Sequence, residues 1–154
     1  MKKERLFLKQ LIEHMRWANK RTLTTLKEEN TNRTIKLFAH IVTTEKLYFL
    51  RITGQDPWPQ NFWPELSLEQ SAGLIQKNYD RYYAFLEETP SEKFSEEIQY
   101  RNSKGITYQT VISEMFTHLA LHGEHHRGQI AQLIRKIGGK PAVTDYITYT
   151  RKRK

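Results

Sequence analysis

The sequence contains no cysteine, and this absence excludes several kinds of chemistry at once. Disulfide frameworks, thiolate metal sites and cysteine nucleophiles all depend on that residue. A metal ion bound by this chain must therefore be held by histidine, aspartate or glutamate side chains.

Long apolar runs are also lacking. No stretch free of Asp, Glu, Lys and Arg exceeds nine residues, whereas a transmembrane helix needs about 20 apolar residues. The opening residues 1–6 carry several charges and no long apolar stretch, so they do not resemble a signal peptide. We therefore expect a cytoplasmic protein with no membrane span.

Negative charge is in deficit, because 25 Lys and Arg stand against 17 Asp and Glu and give a formal net charge of +8. The four residues of the tail, Arg151–Lys154, supply half of that excess. The other charges are spread along the predicted helices in mixed-sign patterns. A basic helix interleaved with surface aromatics and a glycine-rich phosphate loop are both missing from the sequence, so nucleic acid is a disfavoured partner.

The 154 residues, 38% of them hydrophobic, suit one globular domain, which we place at residues 1–150 with 151–154 as a basic tail. Apolar residues recur at three- and four-residue spacing in four long segments. This periodicity predicts an all-α fold, a four-helix bundle with helices over about residues 3–29, 33–53, 68–88 and 108–137.

Two segments between these helices read differently. Residues 54–64 hold three prolines and the aromatics Trp58, Phe62 and Trp63, which exclude a regular helix. This long aromatic loop forms either a lid or wall of a pocket, or a cap on the end of the core. Residues 95–109 predict a short hairpin or extended crossover before the last helix, and residues 144–147 an ordered extension after it.

Four of the six histidines lie within nine residues of the fourth helix: His118, His122, His125 and His126. An apolar stripe marks the buried face of that helix and places His122 and His126 inward together, with His118 and His125 at its edge or beyond. Two buried imidazoles must be hydrogen-bonded or must bind a metal. The stripe consists of Val111, Ile112, Met115, Leu119, Ile130, Leu133 and Ile137.

A catalytic metal site needs a third protein ligand and an open coordination position. The candidates are His14, His40, Glu45 and the two other histidines of the fourth helix. Glu45 falls among apolar positions of the second helix, where a carboxylate needs a partner. It can bind the metal, hydrogen-bond a ligating histidine, or pair with an arginine such as Arg127. Periodicity alone does not choose between His40 and Glu45.

Four short motifs, in order along nearly the whole chain, resemble those of the DinB family, which is grouped with YfiT-like metal-dependent hydrolases. The resemblance implies an up-down-down-up four-helix bundle that holds a divalent metal ion, zinc, nickel or similar, through His40, His122 and His126. It assigns no ligand role to His125 and leaves Glu45 as a structural acid or a hydrogen-bond partner of a ligand. The motifs are Arg16–Asn19, His40 with Glu45, His122–Ile130 and Thr144–Ile147.

The family is also similar to transferases and isomerases that use low-molecular-weight thiols such as bacillithiol or mycothiol. Three neutral histidines leave the 2+ charge of a metal uncompensated, which favours deprotonation of a bound water or thiol. The resemblance therefore implies a thiol-dependent S-transferase or a hydrolase acting on a small molecule. The alternative is a non-catalytic metal-binding bundle of the stress response.

A homodimer is a further expectation, because similar proteins commonly pair through helices. Four large aromatics within seven residues of the third helix span most of its circumference, so they cannot all face one core. The candidates for such a surface are Tyr79, Tyr82, Tyr83 and Phe85.

Overall fold

Helices dominate the computed structural model, which describes residues 2–154. The long helices are α1 (Lys2–Glu28), α2 (Asn32–Ile52), α3 (Leu68–Glu88) and α4 (Ile112–Lys136). After α3 come a 3-10 turn (Ser91–Ser95) and the strands β1 (Glu97–Arg101) and β2 (Thr107–Val111), and a short helix α5 (Tyr146–Thr150) follows α4. The protein is thus mostly helical, with one small sheet.

Local signals set the helix boundaries. Thr31 and Thr34 form a capping box at the start of α2, and Ser67 and Gln70 form another at the start of α3. In both, side chains satisfy backbone N–H groups that the first turn leaves free. Gly138 follows α4 with a φ of 83°, a left-handed conformation that favours glycine.

The predicted hairpin is present, but the predicted start of the last helix at Tyr108 is wrong. Strands β1 and β2 pair antiparallel, with Gln99 opposite Gln109, and α4 begins only at Ile112. The β-branched and aromatic side chains of residues 107–111 suit a strand better than a first helical turn. Gly105 turns the hairpin with a φ of 75°.

The long helices pack around each other, with α1 and α2 each contacting both α3 and α4. The Asn78 side chain of α3 donates to the Val42 carbonyl of α2, and Phe85 meets the ring of Phe49 further along. These contacts show that α2 and α3 run in the same direction. The loop that joins them must therefore return along α2, and this course brings it beside His40.

Two apolar clusters form the core, one at each end of the long helices. The first includes Leu8 and Phe116, and the second includes Leu26 and Phe38. Between them lies a layer of buried polar residues contributed by all four long helices. Its main members are Asn19, Glu45, Asn78 and Arg127.

The aromatic residues proposed for a dimer surface do not all lie at the surface. Tyr82 is only 1% exposed and donates to the backbone carbonyl of Glu45, so its inclusion among the surface candidates is wrong. Tyr79 and Phe85 pack partly against the core, and Tyr83 is 37% exposed. The homodimer itself stays a prediction.

After α4 the chain turns back against α1. The imidazole of His14 is hydrogen-bonded to the Thr144 carbonyl, and the Tyr149 hydroxyl donates to Glu13. The predicted ordered extension thus leads into α5. Within residues 2–154, no helix combines the length and the apolar character that crossing a bilayer requires.

Candidate metal centre

Three histidines from two helices meet at one point of the structure. His40 of α2 and His122 and His126 of α4 each offer a ring nitrogen, and these three atoms lie within 4.8 Å of one another. The Nε2 atoms of His40 and His122 are 3.0 Å apart. One helical turn separates His122 from His126, so both rings project towards α2. The predicted ligand set is therefore brought together as one cluster that can hold a metal ion.

The orientation of His40 is fixed by the aromatic loop. Its Nδ1 atom lies 2.7 Å from the backbone carbonyl oxygen of Phe62. Because a carbonyl can only accept, Nδ1 of a neutral ring carries the proton and donates it. The lone pair of His40 is then on Nε2, the atom that faces the cluster.

His126 is oriented in the same way, by a side chain. Its Nδ1 atom lies 2.7 Å from Oε1 of Gln129, one helical turn further along α4. The amide oxygen accepts a hydrogen bond from Nδ1–H, which leaves Nε2 as the free ligand atom. A hydrogen bond to the second ring nitrogen is the usual way in which proteins orient a metal-binding histidine.

All three rings have lowered pKa values. Burial, followed by the neighbouring histidines His126 and His40, lowers the pKa of His122 to about 3. Burial is also the largest cause of the lowered pKa values of His40 and His126. The cluster is therefore neutral at pH 7, and neutral imidazole is the form that binds a metal.

The buried face of α4 is rotated slightly from the predicted one. It includes Gly123, Arg127 and Ile134 and excludes Ile137, which is 51% exposed. His122 and His126 lie at the edge of this face, half-buried on the side of α2. Their position joins the core to the surface, as a site with an open coordination position requires.

Two residues of the aromatic loop form one wall of the cluster. The indole of Trp63 stacks on the ring of His40 with centroids 3.7 Å apart and planes 2° apart, and it remains 53% exposed. Phe62 supplies the carbonyl that orients His40. Trp58 lies elsewhere, against Gly105 and the guanidinium of Arg101 in the hairpin. Of the two interpretations of this loop, the structure therefore favours the wall for Phe62 and Trp63.

A buried arginine ties this loop to the helices and the hairpin. Arg51 is 3% exposed, and its guanidinium lies over the rings of Tyr48, Phe62 and Tyr100 at 4.7, 5.1 and 4.3 Å. One of its amino groups also donates to the backbone carbonyl of Arg101. Cation–π contacts of this kind gain strength when they are shielded from water.

The other two histidines of α4 lie beside the cluster. His118 stacks on Tyr48, with ring centroids 5.1 Å apart, one turn before His122. His125 is exposed, and its Nε2 atom lies 3.5 Å from the amide nitrogen of Gln129. Neither belongs to the set of three whose ligand atoms converge.

Glu45 belongs to the buried polar layer. Its two carboxylate oxygens accept hydrogen bonds from Asn19 at 2.7 Å and Asn78 at 3.2 Å, and Asn19 in turn accepts from Arg127 at 2.8 Å. Arg127 also donates to Glu124. These bonds do not reach the histidines, so they give no support to Glu45 as a ligand or as the partner of one. They instead link Glu45 to Arg127 through Asn19.

His14, another candidate for the third ligand, lies away from the cluster. It is 2% exposed among Trp17, Tyr146 and Tyr149, and its imidazole is hydrogen-bonded to the Thr144 carbonyl. Its role in the structure is to attach the C-terminal segment to α1.

Sequence reasoning missed the partners of the ligand candidates. Gln129 lies within the motif His122–Ile130, but no role was predicted for it. Its position three residues after His126 was the available signal, since residues three apart share a helix face. The role of the Phe62 carbonyl could not be predicted, because every residue has a backbone carbonyl and its use as an acceptor does not depend on residue type.

The residues present fit a divalent transition metal. Three neutral imidazole nitrogens converge, and two of the rings have their remaining nitrogen engaged by an acceptor. Imidazole donors suit zinc, nickel, copper and iron, whereas calcium and magnesium prefer oxygen.

Comparison with known proteins agrees with the motifs. The model of the DinB family matches residues 1–153. Protein DinB of Bacillus subtilis (strain 168) is 32% identical over 82 residues, which are 53% of this chain and 46% of that protein. The match thus spans less than half the length of that relative. The resemblance inferred from the motifs is confirmed.

Proposed function

This chain belongs to the DinB family, and we propose that it binds a divalent metal ion through His40, His122 and His126 and acts as a thiol-dependent S-transferase. The observation that carries the proposal is the convergence of three neutral imidazoles within 4.8 Å. When bound, the metal ion supplies Lewis acidity that lowers the pKa of a coordinated thiol or water.

The chain's own residues prepare the site. Phe62 and Gln129 keep the protons of His40 and His126 on the Nδ1 atoms, away from the ligand atoms. Trp63 covers one side of His40 and keeps water from it, while the half-buried edge of α4 leaves an approach for a small molecule. These features support a site that is organised before the metal arrives.

Charge favours an anionic partner at this site. The three neutral ligands do not offset the 2+ charge of a metal, and the chain as a whole carries +8. A low-molecular-weight thiol loses its proton readily beside such a charge, because its pKa starts near about 8.5. The thiol proton would pass to water, and the sulfur would attack an electrophilic carbon of the substrate. The carbon–sulfur bond would form as the bond from that carbon to the leaving group breaks, and the leaving group would depart with the electron pair.

The proposed architecture is an up-down-down-up four-helix bundle. The parallel run of α2 and α3 supports it, as does the pairing of α4 with α2 through His40 and His122. In that arrangement, the long loop between α2 and α3 must run back along α2 to reach the start of α3, and it passes the proposed metal site on the way.

Cobalt substitution tests the proposed function. The cobalt-loaded protein should develop a sulfur-to-cobalt charge-transfer band when bacillithiol, cysteine or 2-mercaptoethanol is added. The metal-free protein should develop none, and because the chain has no cysteine, no protein sulfhydryl contributes to the signal.

Two results would overturn parts of this proposal. Cobalt binding without a band for any of these thiols would remove the S-transferase and leave a hydrolase or a non-catalytic metal-binding bundle. A protein that binds neither cobalt nor zinc would remove the metal site itself.

A further inference from the structure

We infer that Gln129 is the residue that positions His126 for metal binding, by fixing which ring nitrogen carries the proton. This inference rests on the proposed metal site. It concerns the tautomer of one ligand, which can be measured in the metal-free protein.

The geometry makes Gln129 a hydrogen-bond acceptor for His126. Its Oε1 atom lies 2.7 Å from Nδ1 of His126, while its amide nitrogen lies 3.5 Å from Nε2 of His125. The two contacts agree with each other, because the amide nitrogen can only donate and the oxygen can only accept. This arrangement places the His126 proton on Nδ1 and the lone pair on Nε2.

The same device acts on His40 with a different acceptor. There the Phe62 carbonyl lies 2.7 Å from Nδ1, and Nε2 faces the cluster. Two of the three proposed ligands thus have Nδ1 bound to a neutral acceptor at the same distance. The acceptor for His126 is a side chain, so it can be removed by substitution, whereas the one for His40 cannot.

The neutrality of Gln129 matters as well as its geometry. A carboxylate at this position would also accept from Nδ1–H, but it would add a negative charge beside the site. The amide fixes the ring and leaves the 2+ charge of a bound metal uncompensated. Gln129 is half-buried at the edge of α4 and lies outside both apolar clusters, so its substitution should leave the fold intact.

Metal affinity is the first test, with zinc as the probe in competition with a chromophoric chelator. Gln129→Met keeps the length of the side chain but removes the acceptor, and it should weaken zinc binding about 10- to 100-fold. Gln129→Glu restores an acceptor oxygen and should restore the affinity. His125→Ala, the matched control, removes the second contact of Gln129 and the ring contact of His125 with His126, but it keeps the acceptor of His126. It should bind zinc as the unaltered chain does.

The tautomer itself is the second test, and it does not depend on metal or activity. Two-bond ¹H–¹⁵N correlation spectra of the metal-free protein at pH 7.5 should show His126 protonated on Nδ1, with the signal assigned by its loss in His126→Asn. In Gln129→Met the ring should move towards the Nε2-protonated form. If Gln129→Met failed to fold, the His126 tautomer in the spectrum of the unaltered chain would still test the inference.

Either of two results would overturn the inference: His126 protonated on Nε2 in the unaltered chain, or unchanged zinc affinity in a folded Gln129→Met. Failure of the proposed function looks different. In that case the unaltered chain binds no zinc, yet the His126 tautomer is still observed as inferred.

Discussion

His122 is the ligand candidate most affected by its surroundings. Burial and the adjacent imidazoles lower its pKa to about 3, and its Nε2 lies 3.0 Å from that of His40. With Nδ1–H of His40 donating to the Phe62 carbonyl, the Nε2 lone pair of His40 can accept a hydrogen bond from Nε2–H of His122. For the neutral His122 ring to bind a metal through Nε2, its proton must move to Nδ1.

Replacing His122 should empty the site. We expect about one divalent metal ion per chain after loading, and His122→Ala should reduce the metal content to near zero, as measured by elemental analysis of protein purified without a histidine tag. His118→Ala and His125→Ala are the matched controls on the same helix and should keep the content near one. Loss of the metal from His125→Ala alone would show that the ligand set is wrong.

Asn19 has an equally specific role in the buried polar layer. Its amide donates to Glu45 and its oxygen accepts from Arg127, so one uncharged side chain connects two charged ones. Burial raises the pKa of Glu45, and the hydrogen bond from Asn19, the charge of Arg127 and the bond from Asn78 lower it in turn. Such a layer is stable only while its members are satisfied.

Removal of Asn19 should destabilise the fold without directly changing the metal centre. Asn19→Ala removes two hydrogen bonds to buried charged groups and should lower the free energy of unfolding by about 3 kcal/mol. Urea denaturation measures this change, and Gln10→Ala, at an exposed position of α1, should cost less than about 0.5 kcal/mol. An Asn19→Ala protein as stable as the Gln10→Ala protein would contradict this role.

The elements were predictable where their signals are local. The capping pair Ser67 and Gln70 fixed the start of α3, and the apolar spacing located all four long helices. The start of α4 was missed because Tyr108 continues an apolar spacing while also suiting a strand, and only pairing with Tyr100 decides the matter. Long-range pairing of this kind cannot be read from spacing along one segment.

The three histidines of the candidate site could be predicted, but the groups that orient them could not. The i,i+4 spacing of His122 and His126 pointed to a pair, but the choice of His40 came from the family resemblance. Glu45 falls among the apolar positions of the second helix, so periodicity left it open as the third ligand. Only the structure shows that its carboxylate oxygens accept hydrogen bonds from Asn19 and Asn78.

The aromatic loop should report metal binding through Trp63. Its indole stacks on a proposed ligand at 3.7 Å, and a paramagnetic ion held by that ligand quenches fluorescence at such short range. Titration of Co²⁺ into the metal-free protein should quench the tryptophan emission, and Trp63→Phe should remove most of the change. Trp58→Phe is the control in the same loop and should preserve it. Equal quenching in both variants would contradict the placement of Trp63.

The whole molecule combines a high positive charge with histidines that resist protonation. Besides the three of the cluster, His14 and His118 have lowered pKa values, each mainly because of burial. Glu45 acts in the opposite sense, since its pKa is raised. Because five histidines have lowered pKa values and only one carboxyl, that of Glu45, has a raised one, the histidines dominate the change in folding stability between pH 7 and pH 5.

This balance predicts that the metal-free protein loses stability in mild acid. Below the ordinary histidine pKa of 6.5, the histidines of the unfolded chain bind protons, whereas the buried histidines of the folded chain stay neutral. The free energy of unfolding therefore falls as the pH falls. The urea midpoint should therefore be lower at pH 5.5 than at pH 7.5. His122→Gln removes the group with a pKa near 3 and should reduce this difference, whereas His125→Gln, at an exposed position, should retain it. A midpoint that stayed constant or rose towards pH 5.5 would contradict the burial of these rings as neutral groups.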